Sequence, residues 1–570
     1  PVISTYSVSD LRDGMGLLRY PISGGENKFW TSQNMNTLWA NAITLGPLNT
    51  NAGRPSTGSP GLSITAIDVL GDTTIVVFQG NQIFNFTTVW SGIIDTLPAD
   101  MVYTTKLFNS RIFYPQINSG YSYQTAAGSA ATDVATPLVW SFEVLDNKIW
   151  ALDNSFTLHA STSGDSGSWQ PKARIPVDYT PTYPYGQLVV YDNAAGELTL
   201  WALTHSGPYL YDADIDKWIQ SRFRHPYYQT GLNVPRPGIV YRESLYVQTR
   251  NREINKLTMT GDHLLIDKID IDLPDGVTTD YTGRFQNFDS DNKLLFGSLS
   301  TGSFVTDTAL NQSLVAYNGK GWHVLVTQVR NSQMYGGPKV VTNSLGERCY
   351  FSFTESGGNS ELHHINLLTL GVNPLVSTTQ TYAASGFVEL PYFSGGYEAQ
   401  QKVAIACRIK VAGASANETV QIAYRIDRST GSYTNLGSAI TATTEQTLRF
   451  GTNNVGLAFK SIQFRLTLAR GATTTLAPKI EYFAMDYIRL PEVRKGFQVT
   501  IDASDAAPDG QTPQQQLENI WTAVETSTLG TFAYRDDTGG TRSYLVKVMR
   551  PEGVEQTGYD ARNEYNVFLY

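Results

Sequence analysis

Gly164-Asp165-Ser166-Gly167-Ser168 places a serine hydroxyl between two glycines and beside a carboxylate, a pattern that could present a nucleophile on a tight turn. Such a serine needs a histidine base within hydrogen-bond reach. The one histidine preceding it is His159, seven residues away in the same predicted hairpin unit, so coincidence outweighs a catalytic triad. Asp212, Asp214 and Asp216 alternate like the first ligands of a calcium loop, the one metal candidate in the chain. That loop also wants glycine at its sixth position and an acid at its twelfth, where Lys217 and Phe223 stand, so a solvated turn is the simpler reading. His363 and His364 are adjacent and would point to opposite faces of a strand, which removes them as a ligand pair. No phosphate-cradling or dinucleotide-binding glycine motif opens a helix. The remaining candidates are Trp150, Trp169, Trp201, Trp218 and Trp322, rings that could stack on a ligand or fill an interface. The same residue type at the same spacing also makes a sheet core. The expectation is therefore no catalytic residue, no cofactor and no enzyme activity.

The elements that carry these residues follow from composition and repetition. Of 570 residues only 16% are charged, against about 25% in an ordinary globular protein. Aromatics reach 12%, with 32 Tyr and 10 Trp, beside 49 Gly and 25 Pro. This mix excludes a coiled coil, a mostly helical enzyme and a disordered chain, and it suits short strands joined by tight turns. A net charge of −9 without a basic run argues against direct nucleic-acid binding. Cys349 and Cys407 are too few for a disulfide framework or a zinc site and read as buried thiols. No apolar stretch reaches the roughly 18 residues of a membrane span, so no membrane insertion is expected. The first residue is Pro1, with no signal pattern after it, and the start reads as trimmed.

One unit recurs: apolar strand, polar turn, then a strand of alternating apolar and aromatic residues. Leu107-Phe108-Asn109-Ser110-Arg111-Ile112 and Val144-Leu145-Asp146-Asn147-Lys148-Ile149 show it. The first apolar residue after each turn is Ile75, Ile112, Ile149, Leu198, Leu245, Leu294 or Cys349, at gaps of 37 to 55 residues. Trp169 and Trp218 each fall 20 residues after that position, inside a second hairpin. Two hairpins per repeat is four strands, the size of a propeller blade, and blades that small must pack against one another. The predicted fold is mainly β: a β-propeller of seven blades (alternatively six) over 61–370, a β-sandwich over 371–493 and a small α+β module over 494–570. Residues 1–60, rich in Asn, Gly, Ser and Thr, read as an extended arm packing on the propeller or a neighbouring subunit. The single strong helix signal is Pro513 to Glu525, with Leu517, Ile520, Trp521 and Val524 on one face.

Two resemblances follow from these residues. Ser163-x-Asp165-x-Gly167-Ser168-Trp169 resembles a shortened Asp-box of sialidase-like propellers, a structural turn lying away from their active site. It is one residue short and has no second copy. Gly14-Met15-Gly16-Leu17-Leu18 through Ser32-Gln33-Asn34-Met35-Asn36, with Gly46-Pro47, is similar to the openings of bacteriophage tail proteins that thread an arm before a propeller. Gly496-Phe497-Gln498-Val499-Thr500-Ile501-Asp502 and the run ending Tyr565-Asn566-Val567-Phe568-Leu569-Tyr570 resemble terminal modules of siphophage tail-tip and minor tail proteins. Propeller-bearing nozzle proteins of short-tailed phages share part of the layout, so morphotype stays open. The resemblance implies a non-enzymatic virion component (adaptor, nozzle or tail-tip ring), a ring-forming homo-oligomer with other phage tail proteins as partners. The alternatives are a receptor- or glycan-binding propeller that meets a host surface glycan and, behind it, a sialidase-like glycoside hydrolase.

Overall fold

In a computed structural model, residues 3–16, 27–55, 62–97, 102, 104–116, 119–176, 186–204, 207–221, 238–248, 254–260, 263–269, 281, 283–291, 293–301, 310–330, 334, 336–344, 346–354, 359–370, 372–396, 398–451, 456–489, 497–502, 510–525, 530–535, 539–546, 552–553 and 564–569 are described. Leu17, Leu18, Phe223, Gly496 and Tyr570, each named above, lie outside them. The fold is mainly β and follows a β-propeller plan. Among the described residues seven four-stranded antiparallel sheets succeed one another along the chain. Their first strands are Ile64–Leu70, Lys106–Phe108, Val139–Leu145, Gly186–Asp192, Gly238–Tyr241, Gly283–Ser290 and Lys339–Asn343. They are called sheets 1 to 7 below.

The recurrent polar turns explain the hairpins. Phe108 pairs with Arg111, Leu145 with Lys148 and Tyr241 with Ser244, leaving two-residue loops. Both loop residues have positive φ in each case: Asn109 and Ser110, Asp146 and Asn147, Arg242 and Glu243. That is the mirror-image turn whose twist matches the flanking strands, and Asn and Asp tolerate it best.

A four-stranded sheet this small cannot cover its own faces, so each shares a core with its neighbours. Phe78 of sheet 1 packs with Tyr114 of sheet 2, and Phe113 of sheet 2 with Phe142 of sheet 3. Trp150 of sheet 3 meets Tyr211 of sheet 4, and Trp201 shares a cluster with Leu245 of sheet 5. Tyr246 meets Tyr317 of sheet 6, Phe296 clusters with Phe351 of sheet 7, and Tyr350 with Ile64 and Ile75 of sheet 1. The order thus returns to its start. Cys349 and Cys407 are buried free thiols, pushed up by burial.

Residues 1–60, expected as an extended arm, supply strands to three larger sheets and form a two-stranded one of their own, Gly14–Met15 with Lys28–Phe29. Thr50–Gly53 is the outermost strand of sheet 7, pairing with Leu362, His363 and His364. Thr31–Gln33 edges a five-stranded sheet with Ser385–Glu389, Ile462–Ala469, Thr419–Ile426 and Thr434–Asn435. Ile3–Val8, Met35–Asn36 and Ile43–Leu45 join a seven-stranded sheet built on Lys402–Ala412 and Lys479–Arg489. The inward residues of these two sheets, among them Val388, Ile422, Phe464 and Leu466 on one and Cys407, Ile409, Phe483 and Met485 on the other, share one core. Apart from the six-residue Ile3–Val8, the strands of this segment have two to four residues, too short to display period-two alternation, which is why the sequence reads as an arm.

The chain divides into two compact units, and both layers above fall in the larger, Ile3–Glu398 with Val403–Ile488. The smaller is chiefly Arg489–Tyr570. There Phe497–Asp502 pairs with Glu564–Leu569, and Gly530–Arg535 with Thr541–Val546. Its helix, Pro513–Glu525, begins with a capping box: Gln515 N–H donates to Thr512 Oγ1, and Thr512 N–H to Gln515 Oε1. Among the described residues no helix is long and apolar enough to cross a membrane.

Candidate functional site: the axial cavity

From sheet 2 to sheet 7 the first strands of consecutive sheets touch one another, and that of sheet 7 touches that of sheet 1; those of sheets 2 to 5 wall a cavity of about 330 Å³. Its polar lining is Thr104, Lys106, Ser141, Glu143 and Gln187. Lys106 and Glu143 form an ion pair between sheets 2 and 3. Ser141 Oγ accepts the Leu188 N–H at 3.0 Å, joining sheets 3 and 4. Gln187 holds sheet 5 as a backbone would: its Nε2 donates to Gly238 O at 3.0 Å and its Oε1 accepts the Gly238 N–H at 2.9 Å. A Cβ on Gly238 would stand 2.1 Å from Leu203 Cδ1, so a larger residue there would have to turn the leucine side chain aside. Thr104 Oγ1 is buried and makes no hydrogen bond to described residues.

The closing side of the ring carries a second charged group. Lys339 of sheet 7 lies 2.9 Å from Asp68 of sheet 1. Asp289 of sheet 6 accepts the Val340 N–H at 2.7 Å and the Ser290 N–H at 2.9 Å. Burial pulls Lys339 down, but the charges of Asp68 and Asp289 outweigh it and hold the ammonium above its usual range. Burial raises the Asp289 carboxyl, and Lys339 only partly offsets the rise. The lysine therefore stays charged and ties three sheets together, while its side chain keeps 32% of its surface open. Each charged group of the site is engaged in an ion pair or backbone contact. Chemically, the arrangement suits binding of a small polar group and offers no nucleophile with an adjacent base.

The sequence candidates fall elsewhere. His159 Nε2 pairs with Asp153 Oδ2 at 2.9 Å, a carboxylate held low by this bond and by Ser155 and Thr157 against its burial. Asp165 is taken by Arg111 of sheet 2 at 2.6 Å, which lowers the carboxyl, so no triad forms around Ser166. Asp212 accepts the N–H groups of Asp214 and Ile215, and Asp216 accepts the Tyr211 hydroxyl and the Ala173 N–H. The Asp212 bonds close the turn and the Asp216–Ala173 bond ties it to sheet 3, and among the described residues no group of three His, Cys, Asp or Glu could hold a metal.

Trp150, Trp201, Trp218 and Trp322 are buried and Trp169 is half-buried, packed between sheets; burial removes the first four as ligand platforms. Several serve as latches. The indole N–H of Trp169 donates to Tyr121 Oη of sheet 2, that of Trp218 to Ala173 O of sheet 3, and that of Trp322 to Ile269 O beside sheet 5. Trp90 of sheet 1 does likewise to Ala52 O of sheet 7. Each reaches back to the preceding sheet. The repeat at 20 residues is thus the spacing of a latch.

Sequence reasoning missed Asp68, Lys106, Glu143, Asp289 and Lys339. A signal was there: Asp68 pairs with Val76 and Glu143 with Trp150, each one residue past the repeat's apolar marker, so both acids occupy one register position in otherwise apolar strands.

No protein-family model matches the chain, and no curated protein does. Solved structures to which it is similar include Sqt1 of Saccharomyces cerevisiae, at 10% identity over 55% of this chain and 99% of that one, with a TM-score of 0.38. The WD40 β-propeller domain of Doa1 gives 7% identity over 56% and 97%, with a TM-score of 0.36. YCF48 bound to a D1 peptide gives 10% identity over 56% and 97%, also at 0.36. At these scores the fold rests on the strand connectivity above.

Proposed function

We propose that the chain is a non-enzymatic structural component of a bacteriophage tail, an adaptor, nozzle or tail-tip ring. In this reading the seven sheets are the blades of a seven-bladed propeller, the five- and seven-stranded sheets are a β-sandwich, and residues after 489 form a small α+β module. The chain works as a ring-forming homo-oligomer among other tail proteins in the virion. The observation supporting it most is the threading of one N-terminal segment through both layers. Thr31–Gln33, Met35–Asn36 and Ile43–Leu45 complete the two-sheet layer, and Thr50–Gly53 completes sheet 7. Separating the layers means stripping strands from their sheets, which suits a part that carries load. Native mass measurement and electron microscopy of the purified full chain, alone and mixed with tail proteins, test the reading. High-order rings that bind tail proteins are expected; a strict monomer inert towards them overturns it.

A second reading, a receptor- or glycan-binding propeller, draws on the axial cavity with its Lys106–Glu143 pair. It does not draw on the four buried tryptophans, Trp150, Trp201, Trp218 and Trp322. Saturable binding of a host-surface glycan, abolished by Glu143→Gln, would favour it over the first.

A further inference from the structure

The outward face of the five-stranded sheet carries a cluster unlike anything on the axis. Glu389 and Arg465 sit opposite each other on neighbouring strands, as do Arg425 and Gln463. Strand alternation puts these four on the face away from Val388, Ile422, Phe464 and Leu466, which fill the core. Arg465 donates through both Nε (2.9 Å) and Nη2 to one oxygen of Glu389, whose side chain is only 6% exposed. Arg425 donates from Nε to Gln463 Oε1 at 2.7 Å, and its Nη2 stands 4.0 Å from the other Glu389 oxygen. Tyr433 also donates to Gln463 Oε1, at 2.9 Å. Its ring centre is 4.6 Å from the Arg425 guanidinium and 4.4 Å from that of Arg465. Arg465 lies 4.6 Å from the centre of Phe387 as well, and Arg425 lies 5.6 Å from that of Tyr392.

Two guanidiniums thus share one carboxylate, leaving a surplus positive charge on a chain whose net charge is −9. The rings fix both guanidinium planes before any ligand arrives, which removes most of the ordering cost of binding. Arg465 is 37% exposed, and its Nη1 donates to no described residue. An outward-facing, immobilised guanidinium edge next to half-buried aromatic rings matches a planar carboxylate attached to a compact ring. We propose that this face is a binding site for a carboxylate-bearing saccharide, in which Arg465 grips the carboxylate, Arg425 supplies the second positive charge, and Phe387 and Tyr392 border the sugar ring. The site is separate from the axial cavity and does not depend on the tail assignment.

The test is calorimetric titration of the purified full chain with an oligogalacturonate, with sialyllactose and with neutral lactose. Saturable binding of at least one acidic sugar is expected, at least tenfold tighter than lactose and weakened by salt; the acid that binds identifies the source, a uronate or a sialate. Arg465→Gln should lower that affinity about tenfold or more. Arg465→Lys should lower it by less, since it keeps the charge and loses the fork. Circular dichroism and melting confirm that each variant is folded; should Arg465→Gln fail to fold, Arg465→Lys alone decides, by losing affinity or not. The proposal is overturned if neither acid binds saturably, if lactose binds as tightly, or if the folded variants bind like the parent.

Discussion

The axis of the sheet ring and the outer face of the five-stranded sheet solve the same problem with opposite stoichiometry. On the axis one lysine, Lys339, serves two carboxylates, Asp68 and Asp289. On the face one carboxylate, Glu389, serves two guanidiniums. The axial trio comes from three different sheets, so its charges hold together elements that share no backbone hydrogen bonds. The facial trio lies on three strands of one sheet already joined by their ladders. Charge on the axis is therefore structural, and charge on the face is available for something else. Lys339→Met breaks the comparison most severely, because it leaves two carboxylates uncompensated in a confined space. Loss of a buried partner costs about 3–5 kcal/mol, discounted to about 2–4 here because the lysine remains a third open to water. Chemical denaturation should show it, while Arg465→Gln should cost less, about 1–2 kcal/mol, because Glu389 is buried but keeps the Arg425 guanidinium 4.0 Å away. Equal losses in both variants would end the distinction.

Burial alone does not decide whether a group is charged. Lys339 keeps its proton because two carboxylates face it. His323 refuses one, because its partners are neutral: Thr37 Oγ1 lies 2.7 Å from Nδ1 and Asn318 Nδ2 lies 3.1 Å from Nε2. The amide nitrogen can only donate, so Nε2 accepts and Nδ1–H donates to Thr37. Burial lowers this imidazole to about 4, and the Arg12 backbone and the more distant Asp10 charge only partly oppose it. An unfolded histidine titrates near 6.5, so the unfolded chain binds the extra proton first. Stability from His323 is complete above about pH 6.5, falls as pH drops, and is fully lost by about pH 4. The loss should reach about 3 kcal/mol, read as the midpoint of denaturation against pH. His323→Gln should flatten that part of the profile. An unchanged slope would show that the seam holding Thr37 to sheet 6 tolerates a charged ring.

Much of the fold was legible because its signals are local. The turn pairs Asn109-Ser110 and Asp146-Asn147 declare hairpins, and Pro513 to Glu525 declares a helix with its cap at Thr512. What stayed hidden depends on contacts hundreds of residues apart. Nothing near Thr50–Gly53 says that its partner is residues 362–364, and no periodicity links Lys339 to Asp68. The tryptophans were visible as a repeat but not as latches, since a 20-residue spacing is silent about which side of an indole meets a neighbour. The facial cluster was invisible for the same reason: Glu389, Arg425 and Arg465 become neighbours only through strand pairing.

The latches give the finest test of what the ring needs. Trp218 donates its indole N–H to Ala173 O of the preceding sheet at 3.1 Å. Trp201, also buried, makes no such bond among the described residues. Replacing either by Phe removes similar ring volume, so the cavity contribution nearly cancels between the two variants. What remains is the hydrogen bond, worth about 1 kcal/mol at Trp218 and nothing at Trp201, where a buried unpaired donor is removed instead. Trp218→Phe should therefore be the less stable variant by about 1 kcal/mol in parallel denaturation curves. If the two variants melt together, the indole bonds do not join the sheets, and side-chain packing between neighbours is what closes the ring.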